Sequence, residues 1–100
     1  MTAQIAIDQR AIAHFCHRHH IRKLALFGSV LRSDFRPDSD VDVLVEFEPG
    51  YPVGLIHLAG MEIELSQIVG RKADLRTAAD LSRYFRQEVI DLAEVQYAAE

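Results

Sequence analysis

Two short motifs able to do chemistry stand ten residues apart in this chain, Gly28-Ser29 and Asp40-Val41-Asp42. The glycine predicts a tight turn that lets the backbone approach a phosphate group. The aspartates open a predicted strand, so their side chains project to the same face, roughly 6.5 Å apart along the strand. Two carboxylates at this spacing can share hard divalent cations such as Mg²⁺, which usually keep substrate phosphates as further ligands. The spacing therefore indicates metal-assisted transfer of a nucleotide.

Each motif also has a purely structural interpretation. Gly28-Ser29 by itself predicts a strand-to-helix turn in which the serine caps a short helix. Such a helix start would also offer free N–H groups and a positive dipole end to a phosphate. Asp40 and Asp42 by themselves could form a solvated strand face. Aspartate is depleted in strands, however, and carboxylates this close repel each other unless a cation lies between them, so the combination favours a site.

The elements that must position these motifs alternate between helix and strand signals. Apolar residues at three- and four-residue spacing predict helices, and alternating or continuous short apolar runs predict strands. We expect inward-facing apolar residues on the two later helices, namely Leu55, Leu58, Leu65 and Val69 on one and Leu81, Tyr84, Phe85, Val89 and Leu92 on the other. The predicted elements are a helix over 8–20 capped by Asp8, a strand over 22–27, a short helix over 29–32, a strand over 40–47, a helix over 54–69 closed by Gly70, a strand over 72–75 and a helix over 80–97.

The composition indicates one ordinary globular domain of 100 residues, 49% of them apolar. A net charge of −4 is a poor electrostatic footprint for a nucleic-acid binder. The single cysteine, Cys16, excludes an internal disulfide and fits a reducing compartment, and its place on an apolar stripe predicts a core position. The first residues show no signal peptide, and no apolar run approaches the length of a membrane span. We therefore expect a cytoplasmic protein with no direct contact to nucleic acid or membrane.

A histidine cluster near the end of the first helix is a second candidate metal site. Its members are His14, His17, His19 and His20. Imidazoles suit Zn²⁺, but this spacing scatters the side chains round the helix, and cations near a helix C-terminus are favourable without any metal. A solvated helix end is therefore the favoured interpretation.

The pair Gly28-Ser29 and Asp40-Val41-Asp42 resembles the signature of the DNA polymerase β-like nucleotidyltransferase superfamily. The surrounding segments LFGSVLRSDFRPDSDVDVLVEF and GRKADLRT are similar to the shortest members, the minimal nucleotidyltransferase antitoxins that pair with HEPN toxins. The resemblance covers the chain from about Ile21 to the last helix. It implies an α/β fold with a small mixed sheet flanked by helices, and a single nucleotidyltransferase domain over residues 1–100.

The resemblance also implies a role for each motif residue. Asp40 and Asp42 match two metal-binding carboxylates, and Ser29 matches a serine that contacts the terminal phosphates of ATP, with Gly28 leaving room for them. A third carboxylate on a neighbouring strand acts in the family as a base or shares a metal. Asp74 is the well-placed candidate for it, the alternative being an exposed charge at a strand end.

Two further positions match the family pattern less distinctively. Arg32 occupies the place of an arginine that can neutralise phosphate charge. An ion pair of Arg32 with Asp34 or Asp38 is the alternative. Ser39 matches a serine before the first aspartate, where it would shape the loop.

The implied activity is ATP-dependent transfer of AMP, with two Mg²⁺ ions, to a tyrosine hydroxyl of a partner HEPN toxin, which is thereby inactivated. A hetero-oligomer with the toxin follows from this activity. Two alternatives stay open, an antitoxin that silences its toxin by binding alone and a nucleotidyltransferase for a small molecule. The acceptor residue, the number of AMP units, the nucleotide preference and the stoichiometry stay open as well.

Overall fold

The computed structural model describes residues 5–36 and 38–99. The signal-peptide expectation rests on residues that lie outside this part of the chain. Within it, a four-stranded mixed sheet carries three α-helices, which confirms the predicted α/β fold. The elements are α1 (Gln9–Arg18), β1 (Ile21–Phe27), a first 3₁₀ turn (Gly28–Leu31), β2 (Val41–Phe47), α2 (Leu55–Val69), β3 (Ala73–Arg76), a second 3₁₀ turn (Ala78–Asp80), α3 (Arg86–Leu92) and β4 (Glu94–Ala98).

The strands lie in the order β3-β2-β1-β4. β1 pairs antiparallel with both β2 and β4, whereas β2 pairs parallel with β3. The parallel pair requires a crossover connection, and α2 supplies it. In this register Asp42 lies between Phe27 of β1 and Asp74 of β3. The topology therefore brings three segments that are distant in sequence to one end of the sheet.

The two faces of the sheet differ in polarity because strand side chains alternate between them. On one face Val41, Val43 and Val45 are buried against α1 and α2, as the alternation in β2 predicted. On the other face Asp42 and Leu44 are half-buried and Glu46 is exposed. We call this second surface the open face. Cys16 is buried in the core as predicted, and this burial raises the pKa of its thiol to about 12.

Two predicted helix ends are confirmed by their caps. The Asp8 carboxylate accepts a hydrogen bond from the Ala11 N–H at 3.1 Å at the start of α1. Gly70 ends α2 in the left-handed conformation, with φ of 74°, and donates its N–H to the Ser66 carbonyl at 2.9 Å. Among the described residues, no helix is both long and apolar enough to cross a membrane.

The predicted helix over 80–97 is wrong. This segment contains the end of the second 3₁₀ turn, the seven-residue α3 and the strand β4. Residues of β4 pair with β1, where Val95 lies beside Ala25, and the Ala99 N–H donates to the Arg22 carbonyl at 2.8 Å. The second edge of β1 would otherwise leave buried backbone groups unpaired, and the residues after Leu92, the last apolar position of the predicted helix, supply the pairing.

Several apolar side chains predicted to face the core are exposed instead. Tyr84 is 84% exposed, and Phe85 and Leu92 are each about half exposed, because the helix that would have turned them inward does not form. Leu55 is 84% exposed at the first turn of α2. Met61 and Leu65 of that helix are fully buried in the core. Leu58 and Val69, which were predicted to face inward, are half-buried and pack against it, so the exposed position is the first turn.

Two glycines of one helix should respond in opposite ways to alanine. Gly70→Ala should lower the free energy of unfolding by about 1 kcal/mol, because alanine is strained at a positive φ. Gly60→Ala, in the interior of α2 with no neighbouring atom within 4 Å, should raise it by about 0.5–1 kcal/mol. Urea unfolding followed by circular dichroism measures both, and equal effects of the two changes would contradict the assigned cap.

Candidate active site

The backbone after β1 turns sharply at Gly28, whose φ is +76°. A Cβ atom at this position would lie 2.6 Å from Oδ2 of Asp42, so only glycine fits without displacing that carboxylate. The turn is anchored by Val30 and Leu31, which are both buried in the core. The backbone at Gly28 therefore lies against the Asp42 carboxylate, and the predicted approach to a phosphate stays a prediction.

The predicted capping role of Ser29 is wrong. Ser29 is the second residue of a four-residue 3₁₀ turn, Phe27 holds the N-cap position, and no side chain caps the turn. A single 3₁₀ turn is also too short to give a substantial helix dipole. The first N–H groups of such a turn have no partner within the turn, so they could donate hydrogen bonds to a phosphate.

The structure brings the three predicted carboxylates together at one end of the open face. Asp42 lies in β2, and Asp40 comes immediately before that strand. Asp74 is the residue of β3 in register with Asp42, and neighbouring strands are about 4.8 Å apart. Side chains in register on adjacent strands share a face, so Asp42 and Asp74 project from the sheet side by side.

The electrostatics of this cluster centre on Asp42. Partial burial raises the pKa of its carboxyl, and the nearby charges of Asp74 and Asp40 raise it further. Arg76 opposes the shift and lowers the pKa of Asp42. An anionic cluster that raises the pKa of its own member is suited to binding cations.

Two cationic side chains beside the carboxylates were not predicted from the sequence. Arg76 follows Asp74 by two residues in β3 and therefore shares its face. Lys72 Nζ lies 3.8 Å from Oδ2 of Asp40. The alternation Lys72, Asp74, Arg76 was the available signal for a charged strand face.

Arg32 forms an ion pair with Asp34 in the loop after the first 3₁₀ turn. Its Nε donates to Oδ1 of Asp34 at 3.3 Å, and both side chains are largely exposed. The ion pair left open as an alternative is therefore the arrangement observed. Ser39 shapes its loop as expected, because its Oγ accepts a hydrogen bond from the Arg36 N–H at 3.3 Å.

The donor set suits a hard cation, although the protein does not form a closed metal cage. Across residues 5–36 and 38–99, no group of three or more His, Cys, Asp or Glu side chains is arranged to hold a metal ion by itself. Carboxylate oxygens are the ligands that Mg²⁺ prefers, with water and phosphate completing its coordination. Asp40, Asp42 and Asp74 therefore fit a site completed by a substrate.

The open face continues from the carboxylates into an apolar cavity of about 330 Å³. Ala25, Leu44 and Val95 of three adjacent strands form its floor, and Ile90 of α3 lines one side. Leu44 follows Asp42 by two residues on the same face. An apolar part of a substrate could therefore lie directly beside the carboxylates.

Residues 9–97 match a family model for the nucleotidyltransferase domain. The chain belongs to the nucleotidyltransferase domain family. The protein adenylyltransferase MntA of Thermococcus cleftensis is 35% identical over 80 residues, which cover 80% of this chain and 77% of that protein. A structure described as a minimal nucleotidyltransferase superposes with a TM-score of 0.69 at 33% identity, covering 85% of each chain.

Further structural likeness concerns the fold alone. A toxin–antitoxin crystal structure with AMP-PNP superposes with a TM-score of 0.73 at 17% identity, covering 94% of this chain and 76% of that one. The family match and the more similar relatives confirm the resemblance to minimal nucleotidyltransferases. This nucleotidyltransferase is therefore an enzyme.

Neutralising Asp42 should stabilise the protein in the absence of metal. The raised pKa means that the ionised carboxylate is disfavoured in the folded state, so Asp42→Asn should raise the melting temperature at pH 7 by a few degrees. The gain should shrink as the pH falls through the folded-state pKa, because protonation then neutralises Asp42 in the wild type too.

Thermal unfolding with EDTA at several pH values measures this difference. Asp34→Asn, which changes an exposed loop aspartate, is the matched control and should give no such gain. Identical melting temperatures of wild type and Asp42→Asn at pH 7 would contradict the inferred repulsion.

The contact between Gly28 and Asp42 can be measured with a double-mutant cycle. Gly28→Ala should cost about 1–3 kcal/mol of stability, from the strained φ and from the clash with the Asp42 carboxylate. In an Asp42→Ala background the clash is gone, so the cost should fall by about 0.5 kcal/mol or more.

Gly50 provides the control for this cycle, because its φ is +88° and no atom lies within 4 Å of a Cβ built there. Gly50→Ala should therefore cost the same with and without Asp42. An additive cycle for Gly28 would show that the two residues do not interact.

Proposed function

We propose that this nucleotidyltransferase transfers AMP from ATP to a tyrosine hydroxyl of a HEPN-family toxin and so acts as its antitoxin. The observation that carries the proposal is the packing of the Gly28 turn against Asp42, with Asp74 in register beside it, on an open sheet face. A 35% identical relative named as a protein adenylyltransferase supports a protein acceptor. Structural neighbours that are toxin–antitoxin complexes, one of them with AMP-PNP, support the partner class and the nucleotide.

Asp40 and Asp42 would hold two Mg²⁺ ions, and Asp74 would share one of them. When bound, Mg²⁺ neutralises phosphate charge and stabilises the attacking and leaving oxygens of the transfer. The carboxylates would relieve their mutual repulsion in the same step, since each would then face a cation rather than another anion. Lys72 would have to release Asp40, a small cost for an exposed pair at 3.8 Å.

The Gly28 turn would hold the β- and γ-phosphates of ATP. Its leading N–H groups and the half-buried Ser29 hydroxyl are hydrogen-bond donors at the end of β1, beside the carboxylates. The missing side chain at Gly28 lets this turn lie directly against Asp42, so phosphates held by the turn would be next to a metal-binding carboxylate. Charge-assisted hydrogen bonds of this kind are about twice as strong as neutral ones.

Asp74 would orient the acceptor hydroxyl and take its proton. Its side chain shares the open face with that of Asp42, so a protein acceptor could approach it from that face. The acceptor oxygen forms a bond to the α-phosphorus, the bond from that phosphorus to the pyrophosphate oxygen breaks, and the hydroxyl proton passes to the Asp74 carboxylate. General base catalysis of this type contributes about 10²–10⁴-fold to the rate.

Label transfer from α-labelled ATP tests the proposal directly. With a HEPN-type partner toxin and Mg²⁺, the wild-type protein should place labelled AMP on the toxin. Asp40→Ala and Asp42→Ala should abolish the transfer, because each removes a metal-binding carboxylate. Asp34→Ala, which removes an exposed loop carboxylate, should keep wild-type activity.

Mass spectrometry of the toxin should then locate the added AMP on tyrosine. Silencing of an unmodified toxin to the same extent by wild type and by Asp40→Ala would show that the protein acts by binding alone. Label found only on a small molecule would favour the remaining alternative.

A further inference from the structure

β3 is an edge strand of four residues, and Asp74 is its second residue. Backbone groups of a strand point alternately to its two edges. The Val41 N–H donates to the Lys72 carbonyl at 2.8 Å, so Lys72 and Asp74 face β2 with their backbone groups. The N–H groups of Ala73 and Leu75, on either side of Asp74, therefore point away from the sheet, where an edge strand usually has no partner.

Both of these N–H groups are bound by side chains of α2. The Ala73 N–H donates to Oγ of Ser66 at 2.9 Å, and the Leu75 N–H donates to Oε2 of Glu62 at 2.7 Å. The Ser66 hydroxyl in turn donates to the Glu62 carbonyl at 2.6 Å. The backbone N–H groups of the residues before and after Asp74 are thus each bound by the same helix.

The two acceptors are themselves held in place. Glu62 and Ser66 are four residues apart, so they lie on the same side of α2. Each directly follows a fully buried core residue, Met61 or Leu65, which fixes the rotation of the helix. The Ser66 carbonyl also accepts from Gly70 and Arg71, which ties this residue to the turn that leads into β3.

We propose that Glu62 and Ser66 are positioning residues that hold the backbone on both sides of Asp74 and so set where its carboxylate lies relative to Asp42. This inference rests on the proposed function, in which Asp74 acts on the acceptor hydroxyl. β2 holds only one edge of β3, and α2 holds the other. Glu62 makes the stronger contact because a carboxylate accepts a charge-assisted hydrogen bond.

Substitutions at Glu62 separate positioning from general stability. Glu62→Ala should lower kcat by about tenfold or more, as loss of hydrogen bonds behind a metal-binding carboxylate does. The KM for ATP should change by less than about twofold, since the phosphate contacts are untouched. Glu62→Gln keeps an oxygen acceptor and should restore most of kcat.

Amide hydrogen exchange by NMR gives a readout that does not depend on activity. In Glu62→Ala the Leu75 amide should exchange faster, while Val43 in the centre of the sheet serves as an internal reference. In Ser66→Ala the Ala73 amide should respond in the same way and kcat should fall. Glu64→Ala removes another carboxylate of α2, one that pairs with Arg18 away from β3, and should leave kcat and both amides unchanged.

The proposal is overturned if Glu62→Ala or Ser66→Ala folds and keeps wild-type kcat. It is also overturned if Glu62→Ala and Glu62→Gln lose kcat equally while the Leu75 amide exchanges as in the wild type. If Glu62→Ala does not fold, Ser66→Ala decides: wild-type kcat or unchanged exchange of the Ala73 amide then overturns the proposal. A wild-type protein that transfers no AMP would refute the proposed function instead, and the exchange of Ala73 and Leu75 would still decide whether Glu62 and Ser66 hold β3.

Discussion

The half-buried Asp42 carboxylate, with Asp74 in register on the adjacent strand, is the constraint on which the site in this structure depends. Asp42 and Asp74 are in register on parallel strands, and Asp40 adds a third charge nearby. The ionised Asp42 carboxylate costs folding free energy at neutral pH, because partial burial, and then the charges of Asp74 and Asp40, raise its pKa in the folded state. The other face of the same strands offsets that cost, since Val41, Val43 and Leu75 are buried in the core. Because side chains alternate along β2 and β3, one face of these strands packs in the core and the other carries the carboxylates of the site.

The backbone groups at the second edge of β1 and at the outer edge of β3 both need hydrogen-bond partners. β4 covers the second edge of β1, while side chains of α2 cover the outer edge of β3. These two solutions differ in what they leave free. A full strand beside β3 would block the approach to Asp74 from that side, whereas Glu62 and Ser66 bind its backbone from behind. The outer edge of β3 is thus bound by α2, while the open face around Asp74 stays uncovered.

At the Gly28 turn the backbone lies directly against a charged side chain, the Asp42 carboxylate. A positive φ and a missing Cβ let the end of β1 lie against the Asp42 carboxylate. The same turn sends Val30 and Leu31 into the core, so the approach is fixed by burial rather than by a cap. Strain and charge repulsion meet at this point, which is typical of functional sites that trade stability for activity.

Features set by near neighbours in the chain were determined by the sequence alone. They include the Asp8 cap, the left-handed Gly70, the two-residue alternation of β2, and the glycine turn before the paired aspartates. Each depends on local backbone conformation or on a fixed side-chain period, so a single segment contains the information.

Only the tertiary structure decided the features that depend on distant partners. Residues 94–98 form a strand on the edge of β1, although the helix predicted from the apolar positions up to Leu92 was extended through them. Arg76 reaches Asp42, and Glu62 binds beside Asp74, through a register that exists only once β2, α2 and β3 have packed. Burial and backbone pairing are properties of the whole fold. The pattern within one segment therefore does not predict which strand edge it pairs with or which charged side chain lies beside it.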